Sequence, residues 1–304
     1  MSRRVVVIGS YTIDEINNII RVGGPAFFCS IVAKIMGWEP YVIGTIGEDF
    51  CQKIPFGGNL IFLPKTIRFK HSYMGEKRVS WLYTQYIQEV SWSQISYLPP
   101  KAPIILNPVI NEFSLNIVDK IVSKYEWVAI DVQGFVRMVD NDGKIFLNSP
   151  GNDVLAILND AMIVKASLEE YRVIRRMLGR IFVITLGDKG AILYDRVKRI
   201  KVYAPAYKVS GDPTGAGDAF ITAFFLKLYE SKDLKESISY ANALASLLVE
   251  GKLISREALF CDRTRLDIEE VLMKNLYRLI FLLNERRYKI LKQVSMTMHH
   301  NKLK

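Results

Sequence analysis

Apolar and polar positions along the chain switch repeatedly between two periods. Val5–Ile8 is a short apolar run that reads as a first strand, and Pro25–Met36, stopped by Gly37, reads as a helix. Strand-like runs follow at Tyr41–Ile43, Leu60–Phe62, Ile104–Leu106, Val128–Ile130, Met162–Val164 and Ile181–Thr185. Helical patterns lie between several of them, notably Phe113–Tyr125 and Leu168–Leu178. This alternation argues for an α/β fold, a mostly parallel central sheet flanked by helices on both faces. The run AFITAFFLKLY, from Ala219, is apolar nearly all round and predicts a helix buried deep in the domain. One segment departs from the alternation. TIRFKHSY and KRVSWLYT flank Met74-Gly75-Glu76, with Ile67, Phe69, His71 and Tyr73 on one face and Val79, Trp81 and Tyr83 on one face of the second arm. Period-2 patterning around a glycine-containing turn predicts a hairpin. A half-apolar hairpin needs something to cover, either a site or a second subunit. His71 on that face reads as a packing residue rather than a ligand. There is no internal repeat and no low-complexity linker.

Composition narrows this. With 304 residues, half of them apolar, the chain can form one large α/β domain or two smaller ones. The net charge is +10, with Arg286, Arg287, Lys289 and Lys292 clustered near the end. The plain reading of that cluster is a solvated helix face and tail; the sharper one is contact with an anionic partner such as nucleic acid. No RNP or helix-turn-helix signature accompanies it, so nucleic acid is not expected, although the overall charge would help attract an anionic nucleotide. Cys29, Cys51 and Cys261 are odd in number and widely spaced. They predict neither a disulfide framework nor a zinc site, which fits a reducing cytoplasm. The start, MSRRVVVIGSYTIDE, is too short in apolar residues for a signal peptide, and no run approaches the roughly 18–20 apolar residues of a membrane span. A cytoplasmic protein without a membrane segment is the expectation.

Chemistry concentrates in SGDPTGAGDAF, residues 210–220. A Walker loop is absent, and a Rossmann fingerprint would need a glycine where Phe220 stands, just after the first strand rather than here. Gly215, Ala216 and Gly217 lack bulk, so a ligand can approach their amides closely. A helix that starts there presents unpaired N–H groups and a partial positive charge, an anion site able to stabilise phosphoryl oxygens during transfer. Asp218 at the same helix mouth is placed to accept a proton from a hydroxyl attacking phosphorus. The structural alternative is a helix start with Asp218 as a cap.

DPTGAGDAF resembles the signature of the ribokinase-like, or PfkB, carbohydrate kinase family, and other motifs agree in order over most of residues 4–255. GSYTID resembles the family's first strand and substrate-binding aspartate, here Asp14. Gly23 and Gly24, with the following MGWEPYVIGTIGEDF, resemble its di-glycine region. VKASLEE resembles N-x-x-E, which puts Glu170 on the glutamate that helps order Mg²⁺. VITLGDKGAILY resembles the strand and turn beside the nucleotide, with Thr185 and Gly187 near its phosphates or ribose. The resemblance implies a ribokinase-like kinase domain over residues 1–275, with small β lid segments at about 11–22 and 65–90, followed by a basic helix or tail over 276–304. It implies transfer of the ATP γ-phosphoryl group to a substrate hydroxyl, Asp218 as base, Gly215, Ala216 and Gly217 as the anion hole, Mg²⁺ on the phosphates, and lid closure that excludes water.

The sequence also departs from the family pattern. GGPAFF places Phe28 where G-G-x-x-x-N has asparagine, and Ser167 replaces the asparagine of N-x-x-E. Only a short loop separates Asp14 from Gly23, so the first lid strands must be short, and a homodimer through the lid is one way to complete the pocket. GGPAFF, KASLEE and DVQGFVR look closest to a branch that includes myo-inositol kinases. The expected acceptor is therefore a small polyol, with a sugar or nucleoside next. Arg137 either reaches that acceptor or is a surface arginine. Asp131 and Gln133 either face the ligand edge or shape a turn. Asn242, in a helix resembling the wall of the adenine pocket, either meets the base edge or faces solvent. A ligand-binding regulator on the same scaffold is the alternative to an enzyme.

Overall fold

The structure, a computed structural model, describes residues 3–51, 56–74, 77–84, 87–95, 98–254, 259–261 and 268–298. The hairpin turn at Gly75 and Glu76, and the last residues of the expected tail, lie outside them. Strand β1 (Arg3–Ile8) is followed by a short antiparallel pair, β2 (Thr12–Ile16) and β3 (Ile19–Gly23). Helix α1 (Pro25–Ile35) leads to β4 (Trp38–Gly47) and β5 (Gly58–Leu63), and the hairpin forms β6 (Ile67–Met74) and β7 (Lys77–Leu82). Then come β8 (Ile104–Leu106), α2 (Leu115–Lys124), β9 (Val128–Asp131), the single turn α3 (Gln133–Val136) and a small hairpin, β10 (Arg137–Val139) and β11 (Ile145–Leu147). The chain continues through α4 (Asn152–Asn159), β12 (Ile163–Ser167), α5 (Leu168–Ile174), β13 (Ile181–Thr185), β14 (Ala191–Asp195) and β15 (Ile200–Ala204). It closes with α6 (Ala216–Ser231), α7 (Leu234–Val249), α8 (Ile268–Leu291) and β16 (Ser295–Met298).

The main sheet has ten strands in the order β5–β4–β1–β8–β9–β12–β13–β14–β15–β16. All pairs from β5 to β13 are parallel, and β14, β15 and β16 add antiparallel. Successive residues of β1 serve opposite faces. Val5 and Val7 join a core with α1, α6 and α7, while Val6 and Ile8 join a second core with α2, α4 and α5. As the apolar run predicts, Ala219–Leu226 of α6 is buried throughout. Strand order reverses between β1 and β8, and an open α/β sheet binds ligands beyond the carboxyl ends of its strands at such a reversal.

The two expected lid segments supply one four-stranded sheet, β3–β2–β6–β7. Ile67, Phe69 and His71 are buried beneath it; Tyr83 on the second arm is mostly exposed, under the ammonium of Lys70. The expected boundary at 275 falls inside α8, and β16 pairs with β15 of the main sheet, so the 276–298 segment is built into the fold. Two readings of the chain end and the cysteines need correction. Arg286 is buried rather than solvated, donating to Ser246 and Glu250, and Arg287 and Lys289 pair with Glu236 and Glu285. Cys51 and Cys261 form a disulfide, against the expectation of none. Their separation of 210 residues hides the pairing from any spacing argument; residues 259–261 reach Cys51 because they run beside β3, where the Cys261 amide donates to the Ile20 carbonyl. No helix among the described residues is long and apolar enough to cross a membrane.

Candidate active site

Helix α6 begins at the carboxyl edge of the sheet. Its first residue is preceded by Gly215 in the left-handed region, φ 76°, which turns the chain abruptly into the helix. A Cβ at Gly215 would lie 2.5 Å from the ring of Phe28, so Phe28 is the floor under the glycine turn. Gly217 has a different reason to be small: a Cβ there would stand 3.0 Å from the ammonium of Lys165. The Ala216 amide is already given to the Pro213 carbonyl at 3.0 Å. Of the three expected anion-hole residues it is therefore the engaged one; the Ala219 amide closes the first turn onto the Gly215 carbonyl at 2.9 Å, and the amides of Gly217 and Asp218 between them have no acceptor within the helix.

Two cavities share the tip of α6 as a wall. The first, about 420 Å³, is bordered by Asp14, Gly24, Phe28, His71, Arg137 and Asp218. The second, about 920 Å³, runs past Thr185, Gly187, Ala216, Gly217 and Asn242 toward Tyr207, Phe220, Ala245 and Val249. Asp218 and Asp14 thus face one space, and the residues expected beside a nucleotide face the other. Asp14 is buried, accepts from Thr12 Oγ1 at 3.0 Å, and lies 3.9 Å from His71 Nε2. Gly23 does not line the cavity; a Cβ on it would strike Asp14 Oδ2 at 2.4 Å, so it makes room for that carboxylate. Gly24, φ +89°, turns the chain into α1 and borders the cavity itself. Arg137 is half-buried and anchored by a bond to the Val109 carbonyl at 3.0 Å.

Asn242 gives both amide hydrogens to the carbonyls of Ala204 and Pro205, so it clamps the end of β15 and keeps only its oxygen for a ligand. Glu170 enters neither cavity. Its carboxylate accepts from the Ser167 amide at 2.6 Å while Ser167 Oγ accepts from the Glu170 amide, a complete capping box on α5. The S-x-x-E spacing of 167–170 carries that signal in the sequence. Among the described residues no cluster of three His, Cys, Asp or Glu side chains could hold a metal ion. A Mg²⁺ held by protein ligands alone does not fit this donor set.

The structure adds Asn107 and Lys165, which sequence reasoning missed, and joins them to Gln133 and Asp131. Asn107, directly after β8 at the strand reversal, donates from Nδ2 to Asp218 Oδ1 at 2.8 Å, and Gln133 Nε2 donates to Asn107 Oδ1 at 2.7 Å. The chain Gln133–Asn107–Asp218 fixes which oxygen of Asp218 is free. Behind it, Lys165 Nζ donates to Asp131 Oδ2 at 2.7 Å, both groups buried. Burial alone would lower the Lys165 pKa, but Asp131, Glu170 and Asp218 together raise it, so the ammonium stays charged. Asp218 is pushed up to about 6, first by burial and then by Asp131, against the pull of Lys165, Asn107 and Arg137. His71 accepts from Arg78 at Nε2, which leaves its Nδ1 hydrogen for Ser80 Oγ; burial lowers its pKa and keeps the ring neutral. It lines the first cavity as well as packing under the lid.

Known proteins resemble the chain in the same regions. Residues 153–256 match the family described as pfkB family carbohydrate kinase. Inositol 3-kinase of Arabidopsis thaliana is 24% identical over 270 residues, 82% of this chain and 74% of that protein. Among solved structures, a pyrophosphate-dependent kinase in the ribokinase family, complexed with a pyrophosphate analog and myo-inositol, aligns with TM-score 0.66 and 18% identity, covering 81% of this chain and 94% of the other. An uncharacterized sugar kinase from Pyrococcus horikoshii in complex with ATP aligns with TM-score 0.63 and 22% identity, covering 83% and 95%.

Proposed function

We propose, from the premise that this chain is a ribokinase-like kinase of the PfkB family, that it moves the γ-phosphoryl group of ATP onto a hydroxyl of a small polyol or sugar, with a myo-inositol-like ring as the first acceptor. The observation that carries the reading is the position of Asp218, between the cavity that holds Asp14 and the helix tip that walls the second cavity.

In this reading the acceptor lies against Phe28, Phe69 and the His71 ring, with Asp14 and Arg137 as its polar contacts. Asp218 takes the proton of the hydroxyl as its oxygen bonds to phosphorus; the bond from phosphorus to the β-γ bridging oxygen breaks and ADP leaves. Asn107 holds the carboxylate so that its other oxygen faces the hydroxyl. The amides of the α6 tip and the charged Lys165 near Gly217 stabilise the transferring oxygens. The far end of the second cavity favours a nucleotide. Tyr207, Phe220, Ala245 and Val249 offer apolar walls to a flat base, which a pyrophosphate donor would leave unfilled. A pyrophosphate donor is the second reading, favoured by the likeness to the pyrophosphate-dependent kinase.

The test is ester formation in a matrix of two donors, ATP and pyrophosphate, against myo-inositol, ribose, fructose, 2-keto-3-deoxygluconate, adenosine and cytidine. Phosphorylation of a polyol or sugar from ATP is expected. Turnover with pyrophosphate alone would replace the donor, and no ester in any combination would overturn the reading in favour of a non-catalytic binder. Asp218→Asn should keep donor affinity and lose about 10²–10⁴-fold in rate.

A further inference from the structure

The lid and the glycine loop are joined by one ion pair that the reaction chemistry leaves unexplained. Arg21 on β3 stands directly opposite Asp14 on β2, and opposed residues of an antiparallel pair share a face. Asp14 turns to the acceptor cavity; Arg21 reaches past it and donates from Nη1 to Asp212 Oδ2 in the loop that leads into α6. Asp212 is occupied on both sides. Its other oxygen accepts from the Thr214 amide at 3.0 Å and from Thr214 Oγ1 at 2.8 Å, and its own amide donates to the Val249 carbonyl. Thr214 is followed at once by Gly215. A narrow crevice runs along the link, with Asp14 at one end, Asp212 and Thr214 at the other, and Phe28 and Leu259 in its walls. The guanidinium also lies over the Phe260 ring at 5.3 Å, so residues 259–261 hold it from the far side.

Stability alone does not account for this arginine. Both partners are mostly buried, with side-chain exposures of 12% and 19%, and a pair out of water gains little over an apolar substitute of the same shape. The Arg21 Nε is buried and has no partner among the described residues, a net loss at that atom. Burial would raise the Asp212 pKa, but the Thr214 bonds and then Arg21 hold its carboxyl below the usual carboxylate range, so the link stays ionised at neutral pH.

We infer that Arg21 is a positioning residue: it ties the strand that carries the acceptor aspartate to the loop that carries the donor-phosphate amides, and so sets the distance between the two substrates. The inference rests on the kinase reading above. Its physical basis is that in-line transfer tolerates little misplacement, about 1 Å being enough to lower a rate on the order of 10²-fold. A lid that binds the acceptor correctly but is untied from the loop would present the hydroxyl to a misplaced phosphoryl group.

The experiment compares wild type, Arg21→Lys and Arg21→Ala with the best donor and acceptor of the panel. Arg21→Ala is expected to lower kcat roughly 10–100-fold with acceptor KM and donor affinity changed little, and millimolar guanidinium is expected to restore part of the rate. Arg21→Lys, which keeps the charge without the fork, should fall between. Amide hydrogen exchange of residues 212–217 in the substrate-free protein should be faster in Arg21→Ala. Turnover within twofold of wild type, or a loss that guanidinium does not relieve and that leaves exchange at 212–217 unchanged, would overturn the inference. If Arg21→Ala does not fold, the same two readouts on Arg21→Lys decide it. If wild type phosphorylates nothing, the kinase reading fails, while the exchange arm still judges the tie between lid and loop.

Discussion

Asp218 near pKa 6 is ionised about ten to one at pH 7, enough to act as a base while keeping a proton affinity above that of an ordinary aspartate. The sign of the pH dependence follows. The ionised form is the active one, so kcat/KM should rise with pH through an acid limb near 6 and flatten above it. The Asn107 amide bonds to the charged form and lowers that pKa. Asn107→Leu should therefore move the limb to higher pH and reduce the plateau rate, roughly 10-fold or more, because the carboxylate also loses its orientation. A limb that stays in place in this variant would remove Asn107 from the base assembly. Asn107 was invisible in the sequence for a physical reason. Nothing in its neighbourhood marks it until the sheet order puts the end of β8 beside the end of β1. Glu170 is the opposite case, where the S-x-x-E spacing announced a capping box and the family likeness drew attention to a metal instead.

Elements rather than single groups decide how the helix tip is presented. Gly215 combines positive φ with contact against Phe28, so Gly215→Ala adds backbone strain and a steric clash together. Each contributes about 1–3 kcal/mol, and a measurable fall in Tm with a larger fall in kcat is expected. Adding Phe28→Leu should relieve the clash but not the strain, recovering part of the lost stability by calorimetry. No recovery would show that Phe28 is not the floor of the turn. At this scale much was legible. Period-2 alternation located β6 and β7, and the all-round apolar run located α6, because each pattern reports one element's own burial. The tie between β3 and the Asp212 loop was not, since it joins positions 191 residues apart whose neighbours follow no shared period.

For the molecule as a whole, the question is whether the C-terminal segment is an appendage or a part of the fold. The sequence suggested a basic tail because Arg286, Arg287, Lys289 and Lys292 crowd together, and charge alone does not say which side chain turns inward. Leu279, Leu283 and Ile290 of α8 are buried against the rest of the protein, and β16 covers the edge of β15. Removing residues 276–304 would take those three side chains out of the core and bare the apolar surface they cover, at about 1.5–3 kcal/mol each, a loss comparable with the whole stability of many domains. It would also bare a strand edge open to association. The shortened chain should therefore fail to accumulate as a folded protein, and a Tm within a few degrees of the full chain would refute its integration. The segment also touches the chemistry. Arg286 donates to Ser246 Oγ at 2.9 Å, lies 4.6 Å over the Tyr207 ring and pairs with Glu250. Ser246 and Tyr207 line the second cavity. Arg286→Met, which preserves much of the packing volume, should thus raise the donor KM several-fold while acceptor KM stays near wild type, because only the wall of the donor cavity has lost its support. Equal shifts in both constants would instead mean that α8 acts through the fold at large.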